Sequence, residues 1–113
     1  MLGENRRLEK SKDHIEFLEK TYRLDQDYTP YENEGLFLEG TSSLVMDRIN
    51  RIAYMGISAR SDLKLAEIWS EKNDFKLIPF ETSSHTGGPI YHSDVMMYIG
   101  TELAVVCEDA ITR

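Results

Sequence analysis

Cysteine is nearly missing from this sequence: Cys107 is the single one in 113 residues. One thiol excludes an internal disulfide framework and a zinc site built from several cysteines. Long apolar runs are missing too, and no stretch approaches the roughly 20 apolar residues that a membrane span needs. The charged start, Met1-Leu2-Gly3-Glu4-Asn5-Arg6-Arg7, has none of the apolar core of a secretory leader. We therefore expect a cytoplasmic setting, which the absence of disulfide chemistry also fits. Basic charge is in short supply, with 13 Lys and Arg against 20 Asp and Glu and a formal net charge of −7. Phosphate backbones and anionic lipid surfaces are held by clustered Lys and Arg. No nucleic acid and no membrane is expected as a partner.

What is there suits a single globular domain. A hydrophobic content of 41% supports a modest core, and the length leaves little slack for a second one. Leu8, Ile15, Leu18 and Tyr22 recur at helical spacing with charges between them, which predicts a surface helix over residues 4–22. Pro30 and Gly35 mark a loop. The period then shortens. Leu36-Phe37-Leu38, Leu44-Val45-Met46 and Ile52-Ala53-Tyr54-Met55 read as strands. Ser61 or Asp62 can cap a helix from Leu63 to Lys72. Phe75 to Phe80 reads as a strand whose Pro79 suits an edge. Two further strands, Val95 to Ile99 and Leu103 to Val106, flank a turn at Gly100, and a last helix starts near Glu108. The order is that of an α/β or α+β domain. A final helix only a turn or two long and an opening helix without a partner lead us to expect an internal piece of something larger.

Several residues could carry chemistry. Glu39 stands at a strand end before Gly40-Thr41, where a rigid element holds it and a ligand can come close. A solvated turn glutamate would look the same. His92 and Asp94 are two apart in Tyr91-His92-Ser93-Asp94, so in an extended segment both face one way. A histidine beside a carboxylate transfers protons or holds a cation, though a surface pair without ligand is the plain alternative. His85 with His92 and Asp94 matches no standard zinc spacing, and we expect no metal or other cofactor. Arg60 lies between a strand and a helix start, where the helix dipole disfavours a cation. Its guanidinium could clamp a carboxylate. Cys107 follows Ala104-Val105-Val106 and is expected to be a buried packing thiol.

Three blocks in order carry a resemblance. They are Phe37-Leu38-Glu39-Gly40-Thr41-Ser42-Ser43-Leu44-Val45-Met46-Asp47, Ala53-Tyr54-Met55-Gly56-Ile57-Ser58-Ala59-Arg60-Ser61, and Gly88-Pro89-Ile90-Tyr91-His92-Ser93-Asp94-Val95-Met96-Met97-Tyr98-Ile99-Gly100. Together with the Glu4-Asn5-Arg6-Arg7-Leu8-Glu9 start they resemble the guanidine-modifying enzymes, or penteins. That group holds arginine deiminases, dimethylarginine dimethylaminohydrolases and amidinotransferases, and the blocks look most like the amidinotransferase-like branch linked to citrulline utilisation. The resemblance implies a five-module α/β propeller of ββαβ-type units, of which residues 1–113 would be a partial domain. One module over residues 36–80 would carry Glu39 and Arg60, and residues 88–113 would begin the next with His92.

The resemblance also implies roles. Glu39 would grip a substrate guanidinium, His92 would be the general acid/base, Asp94 would contact guanidinium nitrogens, and Arg60 would hold the amino-acid carboxylate. The substrate would be a small guanidino or ureido amino acid. The chemistry runs through thiolate attack on the guanidine carbon and a covalent intermediate. In relatives the nucleophile is a cysteine in a Gly-rich segment after all five modules, and Cys107 matches the strand end behind the histidine block instead. Two classes of function stay open: part of such an enzyme, working with a complementing chain or a second copy, or a non-catalytic truncated or interaction module that keeps the fold.

Overall fold

The computed structural model describes all 113 residues. Its centre is a ββαβ unit. Strands β1 (Val45–Asp47) and β2 (Ile52–Gly56) pair antiparallel, Val45 opposite Tyr54. Asp47 makes the turn between them: its carboxylate accepts the backbone N–H groups of Ile49 and Asn50 at 3.1 and 3.0 Å. Helix α3 (Leu63–Asn73) follows, and β3 (Lys76–Phe80) returns parallel to β2, Ile52 opposite Lys76. In this three-stranded sheet β2 is central and β3 an edge, the position where Pro79 withholds no needed hydrogen bond.

The remaining helices and strands lie around that unit. Helices α1 (Glu4–Arg7) and α2 (Lys12–Glu19) precede it, and the hairpin of β4 (Met97–Ile99) and β5 (Ala104–Val106) follows. Periodicity explains where the core lies. Ala53 and Met55 are the inward residues of β2 and meet Leu44 and Ala66, with Trp69, Phe75 and Leu77 packed around them. Asp62, rather than Ser61, caps α3 by accepting the Leu65 N–H at 2.9 Å. Asp74 closes the helix in the left-handed region.

Four expectations need correction. The helix over residues 4–22 is broken: α1 passes into a short 3-10 turn at Leu8–Lys10, and Ser11 is extended before α2 starts. Neither α1 nor α2 contains a buried residue, so no packed face enforces one continuous helix. Leu36 to Leu38 forms no strand, only a bridge from Leu38 to Ser61, because the Gly35 turn and the Gly40 turn leave too little extended chain between them. The final helix is one 3-10 turn, Glu108–Ala110, after which Ile111 bridges to Thr82. The fourth correction is Cys107, which is exposed. The β4–β5 hairpin carries it past the edge of the core, and every residue of β5 is exposed as well.

Candidate active site

Glu39 is a carboxylate with no exposure at all: its side chain has 0% of its surface open to solvent. The backbone explains how it gets there. Gly40 has φ of +62°, a conformation a side chain resists, and this bend turns the chain inward into the 3-10 turn Gly40–Ser42. The Glu39 N–H is then fixed by Ser43 Oγ at 3.0 Å. A buried carboxylate needs partners, and Glu39 has them on both oxygens. Oε1 accepts the Leu2 N–H at 3.0 Å. Oε2 lies 2.7 Å from His92 Nε2, accepts from Arg6 Nη1 at 3.2 Å and has Arg60 Nη1 at 4.0 Å. Burial by itself pushes this carboxyl up. The His92 hydrogen bond, the Leu2 N–H and the charges of Arg6 and His92 outweigh it, and hold Glu39 below the ordinary glutamate value.

An ionised carboxylate only accepts, so the proton of the short contact sits on His92 Nε2. Nδ1 makes no hydrogen bond within the chain and is not buried. It is therefore the ring nitrogen free to take or give a proton.

Three fully buried serines hold this pair in place. Ser43, Ser61 and Ser93 all have 0% exposure. Ser93 follows His92, accepts the Gly56 N–H at 2.8 Å and donates to the Ser43 carbonyl at 2.8 Å. The carbonyl of Tyr91, which precedes His92, accepts from Ser58 Oγ at 2.8 Å. Ser61 Oγ lies 2.8 Å from Ser43 Oγ and 3.1 Å from that same carbonyl, and its one proton serves one of them at a time. Ser43 donates in turn to the Arg60 carbonyl at 3.2 Å. One web of hydroxyls thus joins the Glu39 turn, the end of β2 and both sides of His92.

Glu39, His92 and Arg60 come together, from three separate segments of the chain. Arg60 also lies over the Tyr91 ring, 5.1 Å from its centroid. Asp94 does not join them. Ser93–Val95 is a 3-10 turn rather than extended chain, so the alternation that would align His92 with Asp94 is lost. Asp94 is exposed and borders a neighbouring cleft with Thr41, Arg48 and Tyr98. Its charge reaches Arg6, where it helps Glu9 and Glu39 to raise the guanidinium pKa. His85 is exposed on its loop, and His85, His92 and Asp94 do not form a group able to hold a metal. Cys107 takes no part in the hydrogen bonds of Glu39 or His92.

Sequence reasoning missed Arg6 and the serines. Arg6 is one of a run of charges, and its carboxylate partner is 33 positions away. Ser61 reads only as a possible helix cap, and Ser43 and Ser93 stand only as members of the quoted blocks. A buried polar contact of this kind has no periodic signature.

The family model described as N,N dimethylarginine dimethylhydrolase, eukaryotic, matches residues 1–113. It falls within the guanidine-modifying group that the three sequence blocks resemble. No curated protein and no solved structure matches the chain.

Proposed function

The chain belongs to the N,N-dimethylarginine dimethylhydrolase family, and on that premise we propose that Glu39 and His92 are the guanidinium-binding and proton-transfer parts of a hydrolase site for methylarginines. Related guanidino or ureido amino acids share the group that would be recognised. The supporting observation is the 2.7 Å contact of His92 Nε2 with a carboxylate that is wholly buried and ionised. A planar cation with N–H groups on its edges is the ligand such a carboxylate suits.

The reaction would run by thiolate attack on the guanidine carbon, loss of the amine and hydrolysis of the covalent adduct by water. His92 would protonate the departing amine and then take a proton from water, through Nδ1. Arg60 would hold the α-carboxylate of the amino acid. Asp94, exposed beside the site, would act on the guanidinium nitrogens of the ligand, as its charge already acts on Arg6. Cys107 is badly placed for the thiolate, which would come from another part of the propeller or another chain. In this reading the ββαβ unit over residues 45–80 is one propeller module.

Titration of the 113-residue chain with asymmetric dimethylarginine, followed by NMR, tests the site. Shifts at Glu39, His92 and Arg60 that vanish in Glu39→Gln are expected. Binding that ignores Glu39→Gln would sink the assignment. The chain alone should release no citrulline or dimethylamine, because a histidine–carboxylate pair without a thiolate contributes only about 10²–10⁴-fold. Release that is lost in Cys107→Ser would show that Cys107 is the nucleophile after all.

A further inference from the structure

The buried carboxylate already holds a guanidinium, and it belongs to the chain itself. Arg6 Nη1 donates to Glu39 Oε2 at 3.2 Å, the oxygen that also contacts His92. The side chain of Arg6 carries the same planar cation as an arginine ligand. Counting charge around Glu39 shows why this matters. One carboxylate is faced by two permanent cations, Arg6 at 3.2 Å and Arg60 at 4.0 Å. A ligand guanidinium would be a third cation at Glu39, and the further anions of the site, Glu9 and Asp94, act on Arg6 rather than on Glu39.

Arg6 is also built to leave. Its Nε and Nη2 hold both oxygens of Glu9 at 3.1 and 3.2 Å, the two-pronged pairing that a guanidinium prefers. Only the remaining nitrogen reaches Glu39, through one bond. Glu9 stands three residues further along on the outer side and is more than half exposed, whereas Arg6 is 27% exposed. Swinging Arg6 away from Glu39 therefore breaks one bond and keeps two. Helix α1 has no buried residue to resist the motion.

We propose that Arg6 is a resident competitor on Glu39, which a guanidinium ligand displaces and which Glu9 retains after displacement. Arg6 thereby sets how tightly the site takes cationic ligands relative to neutral ones. The proposal rests on the assignment of Glu39 as the guanidinium carboxylate.

Calorimetric or NMR titration of the full 113-residue chain with L-arginine tests it, with L-citrulline as the uncharged isostere. Arg6→Ala should bind L-arginine about tenfold more tightly, the size expected for loss of one partly solvated charge-assisted hydrogen bond. L-Citrulline should gain far less. Glu9→Gln, a change at an exposed position, should act in the opposite sense, because an Arg6 released from Glu9 commits more fully to Glu39. L-Arginine binding unchanged or weaker in Arg6→Ala overturns the proposal. So does equal tightening for both ligands, which would make Arg6 a steric cover. Glu9→Gln that leaves binding unchanged or tightens it overturns the role of Glu9. Should Arg6→Ala fail to fold, Glu9→Gln still decides. Binding that Glu39→Gln abolishes but residue 6 does not influence defeats this proposal alone. Binding indifferent to Glu39→Gln, or no binding by wild type and Arg6→Ala alike, defeats the Glu39 assignment and this proposal with it.

Discussion

Glu39 shows how much a single residue depends on distant chain. Its carboxyl is held below the ordinary value, so the unfolded chain binds more protons than the folded one as the pH drops through the glutamate range. The stability that Glu39 contributes is complete above the unfolded value of about 4.3 and is lost as the pH falls through the lower folded value. Urea unfolding at pH 7 and pH 3 should show this loss, and Glu39→Gln should remove its own share of it, leaving the share of Asp27, Glu32 and Asp47, whose carboxyls are also held low. At pH 7 the same variant should cost about 2 kcal/mol, since Arg6 and His92 lose a charged acceptor. Equal acid sensitivity in the variant would place the titration elsewhere. Cys107 makes a simpler case. It is exposed, so a thiol reagent should label it fully in native buffer, without the delay of an unfolding step. Labelling that waits for denaturant would show that the thiol is covered in solution.

The secondary-structure elements differ in what their loss should do. Asp62→Ala removes a half-buried cap from α3 and should cost about 1 kcal/mol with the site undisturbed. Ser93→Ala should cost more, about 2 kcal/mol, because the Gly56 N–H and the Ser43 carbonyl are both left buried without a partner. It should also shift the His92 ring resonances, which Asp62→Ala should not. Identical His92 spectra in the two variants would deny the serine web a hold on the histidine. These elements were not equally legible in the sequence. Helix α3 and strands β2 and β3 announce themselves because burial of one face imposes a period on their apolar residues. The 3-10 turns that follow Glu39 and His92 impose none. Glu39 is legible because a glycine follows it, and His92 through its spacing to Asp94 and then through a resemblance spread over three blocks. Ser43, Ser61 and Ser93 meet only once the chain has folded, and short polar side chains look alike in a turn, a cap and a core.

The molecule as a whole has a small core and a broad apolar face. Only 14 of 113 residues are buried. Tyr54, Ile78, Phe80, Met97, Val105 and Ile111 line an open apolar cleft between the two sheets. A protein with this much accessible apolar surface should brighten an environment-sensitive dye while its Trp69 signal stays native. Dye fluorescence that appears only on unfolding would mean that the cleft is closed in solution. The N-terminal segment adds a consequence in time rather than in energy. Strand β2 is paired on both sides, so its amide hydrogens should exchange with solvent deuterium most slowly, at the pace of global unfolding. The amide of Leu2 is different, because its acceptor is the Glu39 carboxylate and nothing in α1 is buried. Its exchange records each lifting of the first helix, so one backbone hydrogen serves as a clock for how often the carboxylate is uncovered.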